Sequence, residues 1–156
     1  MILYLDTSAL AKLFISEPGS EAVAAAVASA LAVATHRIAY VEMHATLGRA
    51  VRMNRIPASS LESRLGEFES RWTSLDVVDL TDSMARRAAE LAIRYGLRGY
   101  DSVHLAAALA VHDALAGSEP VTFGASDLRL TEAATLAGLS LLPLSGTTQP
   151  PSRPRN

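Results

Sequence analysis

Four acidic residues stand where this chain could do chemistry. Asp6 ends an apolar run in "MILYLDTSAL", Glu42 sits among apolar and small residues in "THRIAYVEMHATL", Asp101 opens the most apolar segment in "LRGYDSVHLAAALAV", and Asp127 follows a short strand-like stretch in "VTFGASDLRL". Carboxylates gathered within a few ångströms cannot all stay ionised unless a cation sits among them. The chain has no cysteine, and His36, His44, His104 and His112 are poorly spaced for zinc. An all-oxygen set suits a hard cation instead, Mg2+ or Mn2+. Such ions bridge phosphate oxygens and support in-line displacement at phosphorus, so phosphodiester hydrolysis is the reaction class that follows. Thr7 and Ser8, beside the first amides of the helix after Asp6, are placed to hold a water or a phosphate oxygen.

Each of these residues also has an ordinary structural use. Asp6 and Asp127 fall where helix N-caps fall, Asp101 in a first turn complements the helix dipole, and Thr7 and Ser8 could cap, Thr7 the more readily. Glu42 has the weakest such explanation, because a carboxylate in the buried-looking part of a helix is costly unless paired. His104, one turn beyond Asp101, is placed to hydrogen-bond it. The remaining histidines read as packing or surface.

The elements that must position these groups follow from hydrophobic periodicity. Short apolar runs at 2–5, 31–35, 75–80, 120–123 and 139–142 read as strands, and helical patterns cover 8–15, 19–29, 38–53, 58–73, 82–96, 100–115 and 128–137. Strands alternating with helices imply crossover connections, hence an α/β fold with a mostly parallel five-stranded sheet and helices on both faces. In such sheets chemistry collects beyond the carboxyl ends of the strands. All four carboxylates are expected along that one rim. Pro57, Thr81 or Asp82, Gly96 and Gly138 punctuate the helices at their expected ends.

With 156 residues, 49% of them apolar and 19% charged, the chain suits one domain with a single well-developed core. Residues 1–144 form that domain on this reading, and the proline-rich 145–156 form a disordered tail. No signal peptide is expected at the N-terminus and no stretch is long enough to span a bilayer. The absence of cysteine suits a reducing cytoplasm. The net charge of −2 does not mark a nucleic-acid binder, but the positive charge is almost all arginine, with Lys12 the only lysine. Arg49, Arg52 and Arg55 recur along one helix and its end, and Arg86, Arg87, Arg94 and Arg98 crowd another. These are candidate phosphate contacts, because the planar guanidinium suits phosphate oxygens.

Taken in order, these motifs resemble the PIN domain, and in size and spelling the VapC-type toxin ribonucleases of bacterial type II toxin–antitoxin pairs. "LYLDTSAL" is similar to the family's first strand with its metal-binding aspartate, Asp6. "YVEMHATL" carries the acidic residue of the third helix, Glu42, "LRGYDSVHLAAAL" gives Asp101, and "VTFGASDLRLTEAA" gives Asp127. The resemblance runs from residue 1 to about 143. In place of the family's usual threonine or serine two residues before the last aspartate, the chain has Ala125, with Ser126 next to it. The resemblance implies a PIN-like α/β/α sandwich and a Mg2+- or Mn2+-dependent endoribonuclease whose metal site uses Asp6, Glu42, Asp101 and Asp127. It also implies tRNA or rRNA as substrate, a homodimer, and a small cognate antitoxin whose C-terminal segment lies in an apolar groove near the site, lined in part by Leu10, Leu13 and Phe14. An antitoxin arginine would then intrude among the carboxylates.

Other readings fit less well. A haloacid-dehalogenase phosphatase needs a second aspartate two residues after the first, where this chain has Ser8. A receiver-like phosphoacceptor needs an acidic pair after the first strand and a late lysine. A non-catalytic PIN-like module that binds RNA or protein is the alternative from another class, and retention of all four acidic positions argues against it.

Overall fold

Strand β1 (Ile2–Leu5) lies at the centre of a five-stranded, wholly parallel sheet in the computed structural model, which describes residues 1–144. The expected tail over 145–156 lies outside the described residues. β1 pairs with β2 (Ala32–His36) on one side and β4 (Val121–Gly124) on the other; β3 (Asp76–Val78) extends the sheet past β2, and β5 (Ser140–Leu141) past β4. The resulting order is β3-β2-β1-β4-β5.

Why β1 is apolar throughout follows from its position. Successive strand residues point to opposite faces, and here both faces are covered. Leu3 and Leu5 join a core with Leu10 from helix α1 (Thr7–Leu10), Val23 from α2 (Ser20–Ser29), Met43 and Leu47 from α3 (Ile38–Arg52) and Phe68 from α4 (Leu61–Trp72). Tyr4 joins a second core with Phe123 of β4, Leu91 of α5 (Asp82–Tyr95), Leu105 of α6 (Gly99–Leu115) and Leu130 of α7 (Leu128–Leu136). This is the three-layer α/β/α arrangement expected. Each fully buried leucine or phenylalanine contributes about 1.5–3 kcal/mol of burial free energy. The run Ala106, Ala107 and Ala108 is completely buried in α6, and such small side chains leave room for close helix packing.

One expected element is different. The helical pattern over 8–15 is a four-residue helix, α1, followed by a 3₁₀ turn over Ala11–Leu13. Tight turns of this kind are used in short pieces, and Phe14 and Ile15 bond back to the carbonyl of Ala11 before the chain leaves for α2.

Three bonds fix the rim beyond the strand ends. The amide of Asp6 donates to the carbonyl of Gly124 (2.9 Å), the amide of Arg37 to that of Val78 (2.9 Å), and the Thr35 hydroxyl to that of Leu5 (2.7 Å). Gly96, in the left-handed conformation at φ +63°, closes α5 and lets the chain reverse into α6. The two helices run antiparallel, so that Arg87 pairs with Asp113 near the end of α6 while Arg98, just before α6, reaches Asp127 at the start of α7.

Candidate active site

Asp6 leaves β1 at the carboxyl edge of the sheet with 5% exposure. Its Oδ1 accepts the amide of Ala9 (2.8 Å) and the Ser8 hydroxyl (2.7 Å). Asp6 is thus the N-cap of α1, and Asp127 is likewise the N-cap of α7, accepting the amide of Leu130 at 2.9 Å. The capping role and the position at the rim coexist. Glu42, one turn into α3, accepts the Thr7 hydroxyl (2.7 Å) and faces His104 Nε2 (3.0 Å), both on Oε1. Asp101, in the first turn of α6, accepts from Arg98 Nε at 2.7 Å, and the same guanidinium reaches Asp127 at 3.5 Å.

Thr7, Ser8, Glu42, Arg98, Asp101 and Ser126 line one cavity of about 720 Å³, which continues past Thr46 to Lys12, Arg49 and Arg55. Asp6 stands behind this wall and is joined to it through Ser8, whose hydroxyl in turn accepts the amide of Ser126 (2.9 Å). Asp127 lies in an adjoining depression with Asp101 and Arg98. The rim therefore brings Glu42 and Asp101 to one cavity, Asp6 to the back of its wall and Asp127 to its edge. Among the described residues no three acidic or histidine side chains are arranged as a ready metal cage; serine, threonine, histidine and arginine donors engage the carboxylates instead.

The electrostatics call for positive charge. Burial pushes the Asp6 carboxyl above its ordinary range, and nearby Asp101 adds to the rise, while His104, the Ala9 amide and Ser8 oppose it. Glu42 is also penalised by burial, yet its bonds from His104 and Thr7 prevail and hold it below the usual carboxylate range. Tyr4, buried beneath both, is pushed well above 10 by desolvation and then by the charges of Asp6 and Glu42. Arg98, raised chiefly by its bond to Asp101, is the cation that the structure already places between Asp101 and Asp127. The oxygen-only donors of these carboxylates are the chemistry that a hard divalent cation takes.

Several sequence expectations change here. His104 does not bond Asp101: it turns inward from α6 to Tyr4, Thr7 and Glu42, while Asp101 turns to Arg98. Thr7 and Ser8 cap nothing; their hydroxyls orient Glu42 and Asp6. Of the arginines, Arg49, Arg55 and Arg98 line the cavity, whereas Arg86 and Arg87 are tied to Asp82 and Asp113 and Arg94 lies over the Tyr95 ring. Leu10 is fully buried core, while Leu13 and Phe14 line a separate groove with Ala24 and Gly66. The Arg98 clamp and the bonds beneath Glu42 are what sequence reasoning missed. The one signal for the clamp was an arginine three residues ahead of an acid at a helix start.

Known proteins match this arrangement. The sequence profile of the PIN domain matches residues 3–123. Ribonuclease VapC45 of Mycobacterium tuberculosis (strain CDC 1551 / Oshkosh) is 34% identical over 142 residues, covering 91% of this chain and 95% of its own. Among solved structures, FitAcB from Neisseria gonorrhoeae superposes with a TM-score of 0.64 at 18% identity, over 91% of this chain and 96% of that one. VapBC2 from Rickettsia felis, bound to a DNA fragment from their promoter, gives a TM-score of 0.59 at 16% identity, over 90% and 97%. At such identities the structures speak for the fold, and the profile and the mycobacterial relative speak for the family. The chain belongs to the PIN-domain family, in the branch of the VapC ribonucleases.

Proposed function

We propose that this chain is the toxin of a toxin–antitoxin pair and acts as an endoribonuclease that depends on Mg2+ or Mn2+. The observation that carries the reading is that Glu42 and Asp101 line one cavity at the carboxyl edge of the sheet, with Asp6 directly behind its wall through Ser8 and Asp127 in the depression beside it. Asp6, Glu42 and Asp101 would hold the cation, and Asp127 would complete the site or help to hold a second ion. When bound, the cation supplies an activated water at neutral pH and offsets charge on the departing oxygen of an in-line displacement.

The chain's own side chains do the rest. Ser8 and Thr7 keep Asp6 and Glu42 oriented by donating to them at 2.7 Å. Arg98, with 77% of its side chain exposed, is free to turn from Asp101 to a phosphate. Arg49 stands along the same cavity and suits a flanking phosphate of the strand, while Arg55 beside it is paired with Glu17 at 2.6 Å. Contacts of that kind position a nucleic acid without reading its sequence. Structured RNA, tRNA or rRNA, is the proposed substrate class.

A small antitoxin is the proposed protein partner, as the similar fold in a toxin–antitoxin complex from Klebsiella pneumoniae suggests, and the groove of about 890 Å³ by Leu13 and Phe14 is the proposed seat of its C-terminal segment. A homodimer suits the exposed apolar residues Ile93 of α5 and Leu128 and Leu136 of α7, elements tied together by the bond from Arg129 to the Gly96 carbonyl. No helix among the described residues is long and apolar enough to cross a membrane, and a cytoplasmic setting suits a chain without cysteine. Residues 1–144 are proposed to be the whole catalytic domain.

The test is direct. Purified protein freed of any partner is expected to cut a mixture of tRNA and rRNA internally when Mg2+ or Mn2+ is added, and to stop on addition of EDTA. Cleavage that continues unchanged in EDTA would remove the metal from the mechanism; RNA binding without cutting would favour the non-catalytic module.

A further inference from the structure

Beneath the cavity lie a buried histidine, His104, and the buried Tyr4 under it, neither of which the reaction as described uses. His104 has 3% of its side chain exposed and both ring nitrogens engaged: Nδ1 with the Tyr4 hydroxyl at 3.1 Å, Nε2 with Glu42 Oε1 at 3.0 Å and with the Thr7 hydroxyl oxygen at 3.2 Å. A carboxylate only accepts hydrogen bonds. Nε2 must therefore carry the hydrogen that points to Glu42, and Nδ1 faces the Tyr4 hydroxyl. Tyr4 is fully buried in the central strand and stacked on Phe123 at 5.6 Å, so the histidine ring rests on packed core.

We propose that His104, seated on Tyr4, acts together with Thr7 as a positioning pair that holds Glu42 in the acid cluster with one oxygen left for the cation. Both donors land on Oε1, and among the described residues none lands on Oε2. A free glutamate side chain loses rotamer entropy when it is fixed. Two converging donors impose that order before any ligand arrives. The arrangement matches the general rule that groups behind a metal ligand set its orientation and basicity, here acting on a carboxylate. The inference rests on the metal-dependent reading above and adds residues to it that the four acidic motifs leave out.

Manganese affinity, measured by calorimetry on the full chain without RNA, tests it. His104→Leu in a Tyr4→Phe background, which leaves no buried hydroxyl unpaired, is expected to bind Mn2+ about 10- to 100-fold more weakly than Tyr4→Phe alone. His104→Gln in the same background restores an N–H donor near Nε2 and is expected to recover most of that loss at a matched melting temperature. Should the leucine variant fail to fold, Thr7→Val removes the other donor to the same oxygen and carries the same expected weakening. Wild-type affinity in the leucine or valine variant, or a glutamine variant no better than leucine, overturns the positioning role alone. A parent protein that takes up no Mn2+ at all overturns the metal reading and this inference with it.

Discussion

Asp6→Asn is expected to lower RNA cleavage by about a thousandfold, the several kcal/mol that a cation in place contributes, while the fold stays as stable as before or becomes more so. The two effects have one cause. Asparagine keeps an oxygen to accept the Ala9 amide and the Ser8 hydroxyl, so the cap of α1 survives. What it removes is a negative charge that burial, with Asp101 adding, already pushes toward the protonated form. On the reading proposed above that charge serves chemistry, and taking it away is expected to relieve the native state. Melting curves and cleavage rates on the same preparation check both halves. Asp127→Asn is expected to cost less activity, because Asp127 is 39% exposed and stands at the cavity's edge. Cleavage by Asp6→Asn within about tenfold of wild type would refute the assigned role.

The second large effect is acid lability from His36. This side chain, 2% exposed at the end of β2, accepts the Ile38 amide on Nδ1 at 3.0 Å, and its Nε2 is buried with no partner among the described residues. Burial, then the neighbouring His104, lowers its pKa to about 4, with Asp79 and Glu42 pulling the other way and Arg37 adding to the fall. An unfolded histidine takes up its proton near 6.5. Between pH 6.5 and about 4 the unfolded chain therefore binds a proton that the folded chain refuses, and stability falls as the pH falls. The full loss is about 3 kcal/mol, of which about 2 kcal/mol appears between pH 7 and 4.5. Asp6 works in the opposite sense, since its raised pKa lets the native state hold a proton that the unfolded chain has released. Urea midpoints at the two pH values separate them: His36→Asn keeps an acceptor for Ile38 but cannot titrate, and is expected to lose the histidine share of the acid sensitivity. An unchanged pH dependence in that variant would contradict a neutral buried His36.

Much of the architecture could be read from residue order because both sheet faces are covered. A doubly buried strand shows as a continuous apolar run, so Ile2–Leu5 announces itself together with the acid that follows it. The short α1 was not legible, since its residues keep helical spacing and only their hydrogen bonds reveal the change to a 3₁₀ turn. The polar network under Glu42 was hidden for another reason. Tyr4, Thr7, Glu42 and His104 come from four elements, and three of them look like ordinary core or cap residues in isolation. His104 was assigned to Asp101 by helical spacing, but α6 is buried at Ser102 and from His104 to Leu109, so its histidine faces the sheet while Asp101 faces Arg98. Spacing along one helix says which residues are neighbours. It does not say which of them the rest of the fold claims.

Arg98 gives the molecule a resting state of its own. A guanidinium carried by the chain and braced against Asp101 and Asp127 supplies countercharge at that end of the site whenever divalent ions are scarce. On the metal-dependent reading proposed above, stripping magnesium is expected to stop cleavage while Arg98 still screens Asp101 from Asp127.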